Sequence, residues 1–268
     1  MEENIQIDFF DDIFSMVKTN FVDDFKKFQD LVRPSYLLEP SYRELLTAAA
    51  RGDGKFYTVL KKTRLSESVG EQLIDELVNL EILFIEKSRE APIRTSPKQK
   101  IKKHLRSYRI QDKLRFNTPF LRFWFGFVEP YRKELEAGKG ERFLENFQKH
   151  YERLRSLVYE QLCDALLIEY FSRKNIQILS SGSFWDRYSE FDILAVTSEK
   201  KVILGECKYK ERKICKNEWS KLMAKAEQSG LSVDTYALFS KSGFSNELLQ
   251  HRDEKLLLFD LEDLKVLF

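Results

Sequence analysis

Three charged side chains are spaced so that they could share one metal-dependent reaction centre. Asp192 ends the motif Glu190-Phe191-Asp192, and fourteen residues later comes the motif Glu206-Cys207-Lys208. Alternate side chains of a strand point the same way, so Glu206 and Lys208 share one face. Both motifs lie in apolar runs, where an unpaired carboxylate is costly. Their oxygen ligands suit Mg²⁺ or Mn²⁺, which leaves other positions to water and phosphate oxygens, so the pattern favours a phosphodiester substrate.

Short strands and two helices are predicted to position these groups. The polar segment Thr197–Lys201 is short enough to join two strands as an antiparallel hairpin, which would place Asp192 near Glu206. Upstream, an uninterrupted helical periodicity predicts a helix that carries Glu160. The predicted order is a helix at Phe143–Phe171, strands at Ile176–Leu179, Phe191–Val196 and Val202–Lys208, a helix at Asn217–Ser229 and a strand at Thr235–Phe239.

This order of elements resembles the core of the PD-(D/E)XK nuclease superfamily, over roughly Phe143–Phe268. The motifs Gly182–Asp186, Glu190–Ile193 and Leu204–Lys208 are similar to the C-terminal domain of archaeal-type DEXX-box ATPases. Two further motifs, Tyr108–Asp112 and Leu121–Pro130, are similar to the segment that joins a winged helix to that domain.

Those ATPases usually begin with a P-loop domain, and no P-loop motif is found in this sequence. Gly54-Lys55 is followed by Phe56 instead of Ser or Thr, and Ala49 stands where the leading Gly should be. Without that phosphate cradle, ATP hydrolysis would have to come from a separate ATPase subunit.

The resemblance also implies roles for the site residues. Asp192 and Glu206 would hold Mg²⁺, with the backbone carbonyl of Cys207 as a further ligand. Lys208 would orient or activate the attacking water and offset negative charge on the phosphoryl oxygens. Glu160 would complete the metal shell through water. Glu152 or Glu169 could take the place of Glu160 if the register of its helix differs. Lys221 and Gln228, on the helix after the site, are predicted to contact the substrate backbone.

The region Pro40–Ile110 is predicted to form a winged helix-turn-helix. Helices are expected at Ser41–Ala50 and Lys55–Lys62, followed by a third helix through Leu80 that Ser66 or Ser68 caps. The third helix would enter a DNA groove in a DNA-binding member. It is acidic, however, so a protein-interaction module stays open as an alternative. The two strands of the wing are predicted at Ile82–Lys87 and Leu105–Ile110.

A basic stretch of the sequence includes the loop between the two predicted wing strands. Many Lys and Arg and few acids occur from Arg89 to Arg122, although the whole chain has a formal net charge of only +2. Such a cluster is typical of a contact to a phosphate backbone, and a solvated loop is the alternative. The predicted nucleic-acid contacts are Lys98, Lys100, Lys102, Lys103 and Arg106.

The first forty residues carry aromatic residues at helical spacing. This stripe predicts one or two amphipathic helices whose aromatic face packs as core, and a docking surface for an ATPase partner is the alternative. The aromatic positions are Phe9, Phe10, Phe14, Phe21, Phe25 and Phe28.

Taken together, the patterns predict an α+β or α/β protein with four segments. These are a helical segment at 1–38, a winged helix-turn-helix at 39–112, a helical linker at 113–142 and a PD-(D/E)XK restriction-endonuclease-like α/β domain at 143–268. The expected function is an Mg²⁺-dependent DNA nuclease. A non-catalytic DNA-binding or regulatory protein, or an accessory subunit of a separate ATPase, remains the alternative.

Three cysteines without metal-ligand spacing indicate neither a disulfide framework nor a zinc site. No signal peptide and no long apolar run is present. We therefore expect a cytoplasmic protein without a membrane partner.

Overall fold

The computed structural model describes residues 12–94, 96 and 98–268, without the side chain of His104. The chain forms two compact units. The first contains residues 12–87 and 111–151, and the second contains Ser88–Ile110 and Glu152–Phe268. The range 39–112, predicted as one winged helix, therefore contains residues of both units. Among the described residues, no helix is both long enough and apolar enough to cross a bilayer.

The first unit begins with helices that follow the predicted periodicity. Asp12 caps the first helix by accepting hydrogen bonds from the Phe14 and Ser15 amides at 2.7 and 2.9 Å. Ser66 caps the fifth helix by accepting from Val69 at 3.3 Å, as the sequence predicted. The helices are α1 (Ile13–Lys18), α2 (Phe25–Gln29), α3 (Pro40–Arg51), α4 (Phe56–Thr63) and α5 (Glu67–Asn79).

The aromatic stripe of the N-terminal helices is largely core. Phe21, Phe25 and Phe28 are buried, while Phe14 is exposed but lies edge-on to Phe147. The predicted positions Phe9 and Phe10 lie outside the described residues. Burial of the stripe does not test the ATPase partner, which stays a prediction.

A small antiparallel sheet follows α5, and its second strand differs from the prediction. Strand β1 (Leu83–Glu86) pairs with β2 (Lys113–Phe116), in the register that opposes Glu86 to Lys113. The predicted strand at Leu105–Ile110 is wrong, because Lys103–Leu105 is a short 3-10 turn. The strand that pairs with β1 begins further along the chain, at Lys113, and its Leu114 side chain is buried.

The chain then becomes helical and enters the second unit through one long helix. Its residues up to Tyr151 belong to the first unit and the remainder to the second. This helix includes the predicted range Phe143–Phe171. The segments are α6 (Pro119–Phe123), a π-helical turn at Trp124–Val128, a 3-10 turn at Glu129–Tyr131, α7 (Arg132–Glu136) and α8 (Glu141–Ser172).

The second unit is built on a mixed five-stranded sheet with a small hairpin beside it. The order is β3-β6-β7-β8-β9, with antiparallel pairing from β3 to β7 and parallel pairing from β7 to β9. The strands are β3 (Ile178–Ser180), β4 (Phe184–Trp185), β5 (Glu190–Phe191), β6 (Ile193–Thr197), β7 (Val202–Lys208), β8 (Thr235–Ser240) and β9 (Leu256–Phe259).

Helices cover both faces of this sheet. Side chains alternate along each strand, so Ile203 packs with α8 residues such as Cys163, whereas Leu204 packs on the other face. That other face is covered by α9 (Lys216–Gln228) and α10 (Asn246–Leu249). The protein is thus a mixed α and β protein whose largest sheet is buried on two sides.

Substitution of Gly205 tests how tightly the residues around β7 are packed. An added Cβ would lie 2.9 Å from the Ile193 Cβ and 3.4 Å from the Phe239 ring. We expect Gly205→Ala to lower the free energy of unfolding by about 1–3 kcal/mol through overpacking. Urea denaturation measures the change. Gly126→Ala is the control, because its Cβ would meet Ala50 at 3.6 Å. Equal stability of both variants would contradict this account of the packing.

Candidate functional site

The hairpin of β6 and β7 brings the two predicted carboxylates together. Ile193 opposes Gly205 in its register, and Asp192 and Glu206 are the next residues along the chain from that pair. Asp192 Oδ2 accepts a hydrogen bond of 2.7 Å from the Cys207 amide. One backbone contact therefore fixes the Asp192 carboxylate beside the strand that carries Glu206.

Lys208 completes the cluster on the same strand. Its ammonium forms an ion pair with Glu206, and the two side chains are 24% and 18% exposed. Alternation along β7 places Glu206 and Lys208 on the α9 face of the sheet, where Leu204 packs. The three predicted residues thus form one partly buried charge cluster.

Burial gives this cluster unusual electrostatics. Desolvation, followed by the negative charge of Glu206, raises the pKa of Asp192 to about 6, although Cys207, Lys208 and Lys225 act in the opposite direction. Burial also opposes the charge of Lys208, but Glu206 and Asp192 outweigh it and raise the pKa of Lys208. Lys208 is therefore a cation at neutral pH, which suits charge stabilisation better than proton abstraction.

Glu160 lies near the Cys207 side chain. Its charge contributes to raising the pKa of Cys207, after the larger effects of burial and Cys163. Cys207 packs with the α8 side of the sheet, opposite to the face of Glu206 and Lys208. The water-mediated role of Glu160 at a metal thus stays a prediction. The substitutes proposed for it, Glu152 and Glu169, form ion pairs with Arg155 and Arg173.

The β4–β5 hairpin leads the chain into Asp192. Asp186 Oδ1 accepts from the amides of Tyr188 and Ser189, both at 2.6 Å, and so closes the turn between the two strands. Phe184 opposes Phe191 in the ladder, and both rings are buried. The motif noted in the sequence at Gly182–Asp186 therefore forms the support immediately before Asp192.

Sequence reasoning missed Lys225, which lies on α9 beside the residues that precede Asp192. Its ammonium donates to the Glu190 carbonyl and lies 4.6 Å from the Phe191 ring centroid. Its charge lowers the pKa of Asp192. The predicted residues Lys221 and Gln228 are exposed. The spacing from Lys221 to Lys225 to Gln228 follows one helical face, and that signal could have identified Lys225.

Two further cations lie near Tyr209, the residue that follows Lys208. The Arg155 guanidinium lies 4.5 Å and the Lys241 ammonium 5.0 Å from the centroid of the Tyr209 ring. Glu152 pairs with Arg155 and the exposed Glu211 pairs with Lys241. Two half-buried cations therefore adjoin the residue that follows Lys208.

The predicted basic contacts belong to the second unit. They lie in the segment Ser88–Ile110 and are exposed, and Arg106 also donates to the Ile101 carbonyl at 3.2 Å. These residues are Lys98, Lys100, Lys102, Lys103 and Arg106.

The donor set of the cluster fits a hard cation with an incomplete protein shell. Among the described residues, no group of three His, Cys, Asp or Glu converges on a point. Asp192 and Glu206 do converge, and the pKa of Asp192 is raised first by burial and then by the charge of Glu206. Magnesium commonly takes one or two carboxylates and completes its shell with water and phosphate oxygens, so the pair suits this ion.

Comparison with known proteins gives one partial match. Residues 124–222 match the family DUF234, described as "Archaea bacterial proteins of unknown function". The matched range contains Glu160, Asp192, Glu206 and Lys208, and it excludes the basic segment. Searches of curated proteins and of solved structures each found no match. The similarity is therefore to a family without a stated function.

Asp192→Asn tests the electrostatics of the cluster. Folding raises the pKa of Asp192 from 3.8 to about 6, so the folded chain retains a proton that the unfolded chain has released. The ionised carboxylate is therefore destabilising, and the stability advantage of the Asn variant should grow as pH rises through this interval. Urea denaturation at several pH values, with EDTA present, measures this difference. Parallel pH profiles of the two proteins would contradict it.

Lys225→Met tests whether α9 contributes to the same field. Loss of the ammonium should raise the pKa of Asp192 further, because that charge favours the carboxylate. A titration of the Asp192 carboxyl carbon by NMR measures the pKa. Lys221→Met is the control, since Lys221 is exposed and lies 3.8 Å from Glu218. An unchanged Asp192 titration in the Lys225 variant would disprove the contribution.

Proposed function

We propose that the chain is a metal-dependent nuclease that hydrolyses DNA phosphodiester bonds at Asp192, Glu206 and Lys208. The observation that carries this proposal is the convergence of two carboxylates and one ammonium in a partly buried cluster. We also propose that the second unit is a PD-(D/E)XK-like domain. Its support is the element order α8, β3, β6, β7, α9, β8, with the site residues on β7 and immediately before β6.

For the first unit, we propose a winged helix-turn-helix. Its support is the succession of α3, α4 and α5 followed by the antiparallel pair β1 and β2. The acidic residues of α5 argue against phosphate contact by that helix. A protein-interaction role is therefore the better proposal for the first unit.

In the proposed mechanism the chain's own residues prepare a phosphodiester for attack by water. Asp192 and Glu206 would hold Mg²⁺, which, when bound, polarises the phosphoryl group and favours ionisation of a water. The Cys207 amide keeps Asp192 oriented through its hydrogen bond. Lys208 would donate to a phosphoryl oxygen and offset the charge that develops there, exchanging part of its contact with Glu206.

Positive charge around the cluster supports a polyanionic substrate. Lys225 lies beside Asp192, and Lys208 pairs with Glu206. Half-buried cations next to an acidic pair suit a substrate that brings its own negative charge to the metal. A nucleic-acid backbone has that chemistry at each linkage.

Cleavage assays test this function directly. Plasmid, linear and single-stranded DNA would be incubated with Mg²⁺ or Mn²⁺ and the full chain. We expect Glu206→Gln and Lys208→Met each to reduce the rate by about 100-fold or more, because the first removes a carboxylate from the proposed metal site and the second removes the ammonium that would offset charge on the phosphoryl oxygens. EDTA should abolish cleavage.

Glu199→Gln is the matched control for these variants. Glu199 lies in the turn between β6 and β7, is exposed and pairs with Lys201 at 2.9 Å. It should cleave like the wild type. Intact DNA with the wild-type chain, or undiminished cleavage by the Glu206 and Lys208 variants, would overturn the proposal. Salt-sensitive DNA binding without cleavage would favour the non-catalytic alternative.

A further inference from the structure

The basic segment Ser88–Ile110 is an excursion of the chain from the first unit to the second. The chain leaves the first unit after Lys87 and re-enters it at Gln111. Lys87 and Asp112, which flank the excursion, form an ion pair of 2.8 Å. The segment contains four lysines, four arginines and one glutamate. Its position therefore gives the second unit a concentrated positive charge.

Arg89 attaches the start of this segment to the residues that carry Asp192. Its guanidinium donates to the carbonyls of Gly182, Ser183 and Leu194 at 2.9, 2.9 and 3.0 Å. The Leu194 amide also donates to the Gly182 carbonyl at 2.8 Å. These bonds close the stretch 182–194, which contains the β4–β5 hairpin and Asp192.

A second attachment is buried and charged. Glu90 is 8% exposed, pairs with Arg187 at 2.7 Å and accepts from the Tyr108 hydroxyl at 2.6 Å. Arg187 also lies 5.5 Å from the Tyr108 ring centroid. Glu90 and Tyr108 come from the two ends of the segment, so one residue of the β4–β5 turn holds both ends.

The lysines between these attachments face outward. Lys98, Lys100, Lys102 and Lys103 are exposed, and none forms an ion pair within the described part of the chain. The one glutamate of the segment, Glu90, is buried against Arg187 and so adds no negative charge to the exposed surface. The remaining surface is complementary to a phosphate backbone.

We propose that Ser88–Ile110 is a nucleic-acid-binding strap of the second unit, held by Arg89 and Glu90 against the β4–β5 hairpin that precedes Asp192. The inference rests on the proposed function and deepens it, because it assigns substrate binding to the strap instead of to α5. Glu90 is a positioning residue in this account. It has no contact with the substrate, and its removal acts through the strap.

The test measures the affinity of the full chain for fluorescent duplex and single-stranded DNA by anisotropy, in EDTA, across a salt series. Replacing Lys100, Lys102 and Lys103 together by Gln should weaken binding about tenfold or more and flatten the dependence on salt. The control replaces the exposed first-unit residues Lys18, Lys61 and Lys133 by Gln. It has the same change in net charge and should retain most of the affinity.

Glu90→Gln distinguishes anchoring from simple charge. The variant is more positive than the wild type, so charge alone predicts equal or tighter binding, whereas loss of the Arg187 ion pair predicts severalfold weaker binding. Tyr108→Phe removes the hydroxyl that donates to Glu90 and should also weaken DNA binding. It replaces Glu90→Gln in the test if that variant fails to fold. Thermal unfolding establishes folding of each variant. Unchanged affinity in folded Glu90→Gln and Tyr108→Phe would overturn the anchoring.

Cleavage in Mg²⁺ separates this inference from the proposed function. If the strap variants bind DNA like the wild type while Glu206→Gln still loses cleavage, the strap proposal fails and the nuclease stands. If DNA binding depends on the strap but no cleavage occurs, the strap stands and the nuclease fails. A wild-type chain that binds neither form of DNA would overturn the strap proposal.

Discussion

Asp192 and Glu206 lie close together at one end of the β6–β7 hairpin, and keeping both carboxylates ionised there has a cost that the surrounding structure must offset. Backbone pairing brings them close, because Ile193 and Gly205, which adjoin Asp192 and Glu206 in the chain, oppose each other in the ladder. The pKa of Asp192 rises to about 6 as a result of burial and this like charge. Such a perturbed group beside a specific charged partner is typical of functional sites.

The neighbouring elements of the second unit are arranged to tolerate this pair. The Cys207 amide contacts Asp192, Lys208 contacts Glu206, and Lys225 adds positive charge from α9. The sheet itself is held from both sides by apolar clusters, so β7 is fixed in place up to its charged end. A divalent cation bound by both carboxylates would serve the same electrostatic purpose as these contacts and would add a site for phosphate oxygens.

Local patterns predicted most of the elements that position the site. The polar turn at Thr197–Lys201 predicted the hairpin, and helical periodicity predicted α5 and α8 closely. These features depend on residues close together in the chain. The face of β7 toward which Glu206 points was also predictable from alternation.

Other features depend on contacts between residues distant in sequence, and these were missed. The partner of β1 is Lys113–Phe116 instead of Leu105–Ile110, because the intervening segment is held in the second unit by Arg89 and Glu90. No local pattern of the basic segment indicates that attachment. Lys225 was missed for a different reason, since its place depends on how α9 packs over Glu190 and Phe191.

The most direct measurement is a crystal structure of the chain soaked in Mn²⁺, with anomalous diffraction recorded at the manganese edge. The account predicts an anomalous peak bound by the carboxylates of Asp192 and Glu206, and no peak there in Glu206→Gln. A structure in which Mn²⁺ binds elsewhere, while Lys208 and the Cys207 amide remain the partners of the two carboxylates, would contradict the metal-dependent site.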